Sequence, residues 1–340
     1  MTPEAIAQAA QDLFRSEKTQ QQIGLLTIAN PDMGMDDAYA VQKALVVLKI
    51  ADGRRVMGWK VLLTSKAMQY ALNINIPDSD ILFDDMHFTD GSTVPKGRFI
   101  QPRIEAEIVF EIKAELNDAA TCAKVLEATD YVCPSLEILD TRFLRADPKS
   151  GQTRKIFDTI SDNVANAGIV LGAQRHDPNA IDLRWAGAIC TRHGEVEETG
   201  LGAGVLNDPV TGIAWLSKLL EAYGQTIRAG DVVLSGSFIC PVEARPGDSF
   251  HADFGSFGNV SIDFAKGRNG PGDQKNPGHE GLSKVSREGI VSCNTAPTRG
   301  TLNLMRGWQN LDQTAKRYPP FSVTSKHAWL GSGSIFCRRR

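Results

Sequence analysis

Cysteine is scarce in this sequence, and long apolar runs are missing from it. The six cysteines among 340 residues include no CxxC pair, which argues against a disulfide framework or a zinc site. No apolar run approaches the roughly 20 residues that a membrane-spanning helix needs. The first residues also lack the basic-then-apolar order of a secretory signal. These absences predict a cytoplasmic protein that does not enter a membrane.

Charge is nearly balanced overall but uneven along the chain. The net charge of −3 gives no general attraction to nucleic acid or to an anionic membrane. Residues 268–340, however, hold 12 Lys/Arg against 4 Asp/Glu, with nine Gly and five Pro. This stretch is predicted to be a basic, disordered or non-native extension; a polyanion-binding tail is the alternative.

Several common catalytic motifs are absent. There is no GxSxG elbow, no GxxxxGK[ST] loop and no HExxH pair, so serine-hydrolase, P-loop and zincin chemistry lose their local markers. Residues 200–204 read GLGAG, which is not GxGxxG, and the acidic residues before them would make a poor buried strand. The sequence therefore argues against dinucleotide binding.

Helical patterns are few, and period-two patterns dominate. Helices are predicted to begin at Thr2-Pro3, at Asp36 or Asp37, at Asn117 (continuing through Val125) and at Asp208-Pro209. Strands are predicted at residues 56–63, 104–112, 131–139, 168–171, 232–234 and 260–264. The regular β–α alternation of a doubly wound sheet is missing. We therefore predict an α+β fold with a helical N-terminal part (residues 1–55), a mostly β catalytic domain (56–267) and the extension (268–340).

Three glutamates stand out in the predicted strands. Glu105 and Glu107 share one face of a strand whose other face is apolar, and Glu137 interrupts a second apolar strand. Three carboxylates without a nearby His or Cys are typical ligands of Mg²⁺ or Mn²⁺. A solvated strand face is the alternative, and Glu111, which continues the alternation, favours it.

Two further polar groups have both a chemical and a structural interpretation. Lys60 lies in an otherwise apolar strand, where it must reach solvent, pair with an acid or sit in a site. Ser161, Asp162 and Asn163 lie between apolar runs and form either a binding loop or an ordinary turn.

The quoted residues resemble a known family. The matching segments are residues 60–69, 77–78, 82–86, 103–107, 136–137, 157–163, 197–200, 207 and 230–231. In order along the chain, from about Asp36 to Phe264, they resemble the hydratase branch of the fumarylacetoacetate hydrolase superfamily.

This resemblance implies a β-roll or sandwich with an N-terminal helical part, and a metal-dependent hydratase of aromatic catabolism such as homoprotocatechuate degradation. Its substrate would be a small 2-oxo acid, a 2-hydroxy-dienoate or 2-oxo-enoate dicarboxylate. The family's roles fall on these residues: Glu105, Glu107 and Glu137 as ligands of Mg²⁺ (or Mn²⁺), Lys60 and Asp78 as catalytic groups, and Ser161, Asp162 and Asn163 as substrate-binding groups. A homo-oligomer is implied, with association to a related decarboxylase as an open alternative.

The chain also departs from the family pattern. Leu62 stands where the branch has glycine, and Trp59 stands where close relatives have histidine. Leu62 could crowd the pocket, because glycine often permits a close backbone approach. A decarboxylase and an acylpyruvate hydrolase stay open as alternatives, because both share the family's scaffold. A non-catalytic partner subunit, whose pocket Leu62 has closed, is a third alternative.

Overall fold

The part of the chain that the structure describes contains two β-sheets, three N-terminal helices and three later helices. The structure, a computed structural model, describes residues 1–62, 64, 78–117, 119–222 and 224–267, with Asp78 described in its backbone alone. The proposed extension at 268–340 lies outside these residues, so the prediction made for it stays a prediction.

The larger sheet has eight strands and carries the residues of interest. Its strands are β1 (Val56–Leu62), β2 (Asp78–Phe83), β3 (His87–Thr89), β5 (Arg103–Ile112), β6 (Thr129–Leu139), β7 (Asn166–Leu171), β10 (Val232–Leu234) and β11 (Val242–Glu243). Their order is β2-β1-β10-β5-β6-β7-β3, and β11 also pairs with β5. The β1–β10 and β3–β7 pairs are parallel, and the other pairs are antiparallel.

The smaller sheet has five strands in the order β4-β13-β12-β8-β9. Its strands are β4 (Thr93–Val94), β8 (Gly187–Arg192), β9 (Glu195–Leu201), β12 (Ser249–Asp253) and β13 (Asn259–Phe264). The acidic segment that opens β9 lies at the edge of this sheet and is exposed. Charged residues are common on edge strands, where they discourage pairing with other chains.

Six α-helices are found within the described residues. They are α1 (Pro3–Thr19), α2 (Leu26–Ala29), α3 (Met35–Ala51), α4 (Cys122–Ala128), α5 (Ile156–Ser161) and α6 (Pro209–Ala222). The hydroxyl of Thr2 caps α1 by accepting from the Ala5 N–H at 3.2 Å, as the sequence predicts. The helix predicted from Asn117 begins only at Cys122, where the Thr121 hydroxyl accepts from the Lys124 N–H, so that boundary was wrong.

The strands β5 and β6 form the centre of the larger sheet, because their apolar residues are buried on both sides. Ile104, Ala106, Ile108 and Phe110 on one face of β5 and Val109 on the other face are fully buried. The helix α6 covers the face on which Val61 lies, since Gly212 of this helix sits close to the Val61 side chain. The opposite face of β1, β5 and β6 is therefore the one available for chemistry. The two sheets and six helices together confirm the predicted α+β fold.

Buried or partly buried ion pairs lie within the N-terminal part and within the body. Glu17 of α1 pairs with Lys49 of α3 at 2.7 Å and with Arg54 at 2.6 Å. Arg142 pairs with Asp162 at 2.5 Å, and both side chains are buried. Removing one partner of such a pair typically costs about 3–5 kcal/mol. None of the described helices is long and apolar enough to cross a bilayer.

Candidate active site

One face of the larger sheet gathers the polar residues that the sequence singles out. Antiparallel pairing sets Glu105 opposite Glu137, and Glu107 opposite Ser135. On the other side of β5 lies β10, whose Leu234 pairs with Val109 of β5 and with Lys60 of β1. Residues paired across strands project to the same side. Lys60 and the three glutamates therefore share one face although they come from three different strands.

The three carboxylates lie close enough to bind one ion. One oxygen from each of Glu105, Glu107 and Glu137 lies within 4.8 Å of the others. Glu107 and Glu137 are fully buried, which excludes the solvated strand face. Glu107 Oε1 and Glu137 Oε2 are also buried without a hydrogen-bond partner. Such orphaned acceptors are costly unless a cation occupies the space between them.

The ammonium group of Lys60 does not reach solvent. Its side chain is 1% exposed, and Nζ donates a short hydrogen bond to Glu137 Oε1. Of the interpretations open at the sequence level, reaching solvent is therefore wrong and pairing with an acid is right. A second oxygen of Glu137 remains for other contacts.

Electrostatics at this face are dominated by repulsion between carboxylates. Burial and the charge of Glu137 raise the pKa of Glu105 to about 8. The same two causes raise the pKa of Glu107 well above its ordinary value. Burial alone would lower the pKa of Lys60, but the attraction of Glu137 and the other glutamates outweighs it and raises that pKa. One ammonium is thus too little charge for three carboxylates, and a divalent cation fits the deficit.

Backbone geometry supports Glu107 from the end of β10. Gly236 adopts a φ of 112° and donates its N–H to Glu107 Oε2 at 2.9 Å. A Cβ at this position would lie 2.4 Å from Thr64 Oγ1 and would also strain the backbone. Glycine is therefore required here both for conformation and for space.

Asp80 is a residue that sequence reasoning missed. It is 1% exposed, pairs across strands with Lys60, and adds to the attraction that raises the pKa of Lys60. Gln42 of α3 donates to Asp80 Oδ1 at 2.5 Å. The register of β1 against β2 brings the two charges together, and no local sequence signal reveals that register. The N-terminal helices thus contribute directly to this face.

The two departures from the family pattern fall on opposite sides of the sheet. Leu62 is two residues beyond Lys60 on the same face, where it is half-buried opposite Asp78. Trp59 lies on the other face and donates its indole N–H to Asp231 at 3.2 Å. Only Leu62 therefore bears on the shape of the site. Asp78 begins β2, and its side chain lies outside the described residues.

The predicted substrate-binding loop is buried and internally bonded. The Ser161 hydroxyl donates to the Phe157 carbonyl at 2.8 Å, and Asp162 pairs with Arg142. Asn163 donates to the Ile81 carbonyl at 3.2 Å, while its own Oδ1 has no partner. These contacts explain the structural importance of the segment, and its role toward substrate stays a prediction. A surface pocket between residues 94–102 and 243–246 contains none of these groups.

Comparison with curated proteins finds close relatives over most of the chain. No protein-family profile matches. The chain is 48% identical over 256 residues to 2-oxo-hept-4-ene-1,7-dioate hydratase of Escherichia coli, covering 75% of this chain and 96% of the relative. It is 37% identical over 265 residues to 2-keto-4-pentenoate hydratase of Paraburkholderia xenovorans, covering 78% and 96%.

Comparison with solved structures finds the same fold in an enzyme of different reaction type. The chain matches 4-oxalocrotonate decarboxylase from Pseudomonas putida, complexed with magnesium and adipate. The TM-score is 0.71 at 31% sequence identity, covering 78% of this chain and 98% of the other. The likeness thus includes both the overall architecture and the sequence.

Proposed function

The chain belongs to the hydratase branch of the fumarylacetoacetate hydrolase superfamily, and on this basis we propose that it hydrates 2-oxo-hept-4-ene-1,7-dioate in aromatic catabolism. The product is 4-hydroxy-2-oxoheptanedioate. The relative that carries this substrate in its name shares 48% of aligned residues with the chain. The observation that supports the chemistry best is the cluster of three glutamates, two of them fully buried, beside a buried lysine.

A divalent cation, Mg²⁺ or Mn²⁺, fits the residues that are present. Glu105, Glu107 and Glu137 would hold it, because they offer clustered hard oxygen donors, two of them orphaned. When bound, such an ion polarises the carboxylate and adjacent carbonyl of a 2-oxo acid and stabilises the negative charge of its enolate. The choice of Mg²⁺ is part of the proposal.

Lys60 is the proton donor of the proposed reaction. The charges of the three glutamates raise the pKa of Lys60. A cation held by those glutamates would offset most of this attraction, so the Lys60 ammonium would be a better acid when the ion is bound. The 2-hydroxy-2,4-dienoate form of the substrate gives up its 2-hydroxyl proton and receives a proton at C5, which makes it the conjugated 2-oxo-3-enoate. Water then adds its oxygen at C4 and a proton at C3. Asp78 is proposed from the resemblance as the second group that moves protons.

Direct measurement of water addition tests this function. The purified chain should consume 2-hydroxyhepta-2,4-dienedioate in the presence of Mg²⁺, with loss of the dienoate absorbance. The product should contain one added water and retain all seven carbons by mass spectrometry. Absence of turnover with Mg²⁺ and with Mn²⁺, in a chain that binds either ion, would favour the non-catalytic partner subunit instead.

A decarboxylase is the second candidate, because the decarboxylase structure shares the fold at 31% identity. Release of CO₂ from 4-oxalocrotonate, measured beside water addition on the same preparation, separates the two activities. An acylpyruvate hydrolase typically uses a His–Glu pair. Among the described residues, the hydrogen-bonded rings of His176 and His193 contact the Phe257 carbonyl and Asp248 rather than a glutamate.

Quaternary structure is also a proposal. We expect a homo-oligomer, with association to a related decarboxylase as a further possibility that the resemblance raises. Light scattering of the purified chain, alone and mixed with such a decarboxylase, measures both.

A further inference from the structure

Three arginines surround the end of the glutamate face at which β5 begins and β6 ends. Arg103 precedes Glu105 by two residues and therefore lies on the same face of β5. Its partner across the strands is Leu139, which follows Glu137 by two residues. Arg103 is thus one step further along the face that carries the carboxylates.

Arg145 and Arg154 approach the same place from the segment that follows β6. The N–H of Arg154 donates to the carbonyl of Arg145 at 2.9 Å, so the two residues are neighbours. Arg154 Nη1 donates to Thr141 Oγ1 at 2.6 Å, and Arg145 Nε donates to Gln101 Oε1 at 3.3 Å. Gln101 precedes Arg103 by two residues and Thr141 follows Leu139 by two, so both lie just outside the ends of β5 and β6. All three arginines are half-buried.

No carboxylate in the described part of the chain forms a salt bridge with any of these three arginines. Arg103 Nε is buried and has no hydrogen-bond partner. Burial, together with the charges of Arg103 and Arg154, lowers the pKa of Arg145 to about 10. The three positive charges therefore repel each other within a partly desolvated space.

Apart from Glu105, which belongs to the proposed metal site, the acidic groups that act electrostatically on these arginines are engaged elsewhere. Asp158 accepts from the Thr27 hydroxyl at 2.7 Å and from the Lys155 N–H at 2.9 Å. Asp140 accepts from the N–H groups of Ile100 at 2.9 Å and Gln101 at 2.7 Å. Asp162 pairs with Arg142, and Glu243 pairs with Arg245 at 3.2 Å. An anion supplied from outside the chain would find three donors of positive charge without displacing these contacts.

The spacing along β5 matches the length of a linear dicarboxylate. Two residues of a strand span about 6.6–7 Å, which separates Arg103 from Glu105 at the backbone. Five or six carbon–carbon bonds of roughly 1.5 Å, as in a six- or seven-carbon dicarboxylate, span about 6–8 Å in a zigzag. We propose that Arg103, Arg145 and Arg154 form an anion subsite for the distal carboxylate of a linear dicarboxylic substrate. This inference rests on the proposed function, in which the 2-oxo acid end lies at the glutamates.

Binding of unreactive acids tests the subsite without any turnover. Adipate and hexanoate have the same number of carbons, and only adipate has a second carboxylate. Calorimetry on the full chain with saturating Mg²⁺ should show adipate binding roughly 10–100-fold more tightly than hexanoate, the range expected for charge-assisted hydrogen bonds. Arg145→Gln should remove most of this difference and leave hexanoate unchanged.

Kinetics provide the second measurement. Arg145→Gln should lower kcat/KM for 2-hydroxyhepta-2,4-dienedioate about 10–100-fold, mainly through KM, and change the value for 2-hydroxypenta-2,4-dienoate less than about threefold. Arg145→Lys should recover part of the loss, because lysine keeps the charge but not the planar fork. Arg184→Gln is the matched control: Arg184 is exposed, pairs with Asp182 and should affect neither substrate.

The outcomes separate the subsite from the proposed function. If the chain hydrates neither dienoate but Arg145→Gln still weakens adipate alone, the subsite stands and the hydratase proposal falls. If Arg145→Gln weakens adipate and hexanoate equally, or weakens neither, the subsite is wrong. If thermal unfolding shows that Arg145→Gln does not fold, Arg103→Gln can be used in the same measurements. Arg103 Nε has no hydrogen-bond partner, so its removal breaks no hydrogen bond of that atom.

Discussion

Replacing Glu107 with glutamine removes one charge from the proposed metal site and keeps nearly the same shape. The new side-chain carbonyl can still accept from the Gly236 N–H, which lies 2.9 Å from Glu107 Oε2. Without metal, burial and the charge of Glu137 raise the pKa of Glu107 well above its ordinary value, so the metal-free site disfavours the charge that the substitution removes. We therefore expect the metal-free variant to be as stable as the wild type at neutral pH, within about 1 kcal/mol.

Added Mg²⁺ should raise the Tm of the wild type more than that of the Glu107→Gln variant. A ligand at 100 times its dissociation constant stabilises the folded state by about 2.7 kcal/mol. For a chain of this size, with an unfolding entropy of about 2.1 cal/mol/K per residue, that corresponds to a rise in Tm of roughly 4–5 °C. Mutating groups that merely support metal ligands lowers affinity about 10–100-fold, so losing a ligand's charge should lower it at least about 100-fold. At the same Mg²⁺ concentration the variant should then gain no more than about 1 °C.

Differential scanning calorimetry with Mg²⁺ or with EDTA measures these shifts. Glu111→Gln is the matched control: Glu111 lies on the same strand and face but accepts from the Tyr131 hydroxyl, away from the triad. This control should keep the full shift with Mg²⁺. An equal Mg²⁺-induced shift in the Glu107→Gln variant and the wild type would refute the assignment of Glu107 as a ligand.

The pH dependence of stability is a second prediction. The pKa of Glu105 is raised from 4.5 to about 8 in the folded chain, so the folded state holds this proton more tightly than the unfolded state. The resulting contribution to the free energy of unfolding is complete below pH 4.5 and disappears as the pH rises to 8. Thermal unfolding in EDTA should show this loss, saturating Mg²⁺ should reduce it, and a profile that Mg²⁺ leaves unchanged would contradict it. Lys60→Met should lower turnover by about 10²-fold or more while Mg²⁺ still binds by calorimetry, and near-normal turnover would exclude Lys60 as the proton donor. Asp162→Asn should cost about 3–5 kcal/mol of unfolding free energy by leaving Arg142 buried and unpaired; a raised KM without that loss would favour substrate binding instead. The chain cut after Lys266 should keep its Tm and its activity, because 256 aligned residues already cover 96% of the relative at 48% identity. A truncated chain that precipitates would show that residues after Lys266 are needed for folding.

Patterns that depend on one strand or one helix were predictable from the sequence. The alternation of Ile104, Ala106, Ile108 and Phe110 predicts both the strand and its buried face, and the structure has β5 over Arg103–Ile112. The N-cap of α1 follows equally directly from Thr2. Helix α3 shows the limit of such local signals: its N-cap is Gly34, while Asp37, predicted as a cap, accepts from the Gly34 N–H at 3.0 Å.

Contacts that depend on register between distant strands were not predictable. Glu105 and Glu137 are 32 positions apart, and only the pairing of β5 with β6 sets them opposite each other. The pairing of Lys60 with Asp80 depends in the same way on β1 and β2. Since a slip of one residue would turn each of these side chains to the other face, sequence periodicity alone cannot specify the site.

The same argument indicates where the chain can vary without losing its chemistry. Trp59 and Leu62 both depart from the family pattern, yet alternation sends Trp59 to the face covered by α6 and leaves Leu62 beside Lys60. A change on the covered face is a matter of packing, because its side chain meets Asp231 and the core. A change on the glutamate face alters the space available to substrate. Leu62→Gly should therefore alter the ranking of substrates by kcat/KM, while Trp59→His should chiefly alter the free energy of unfolding. The opposite result would mean that strand alternation does not decide which residues reach the substrate.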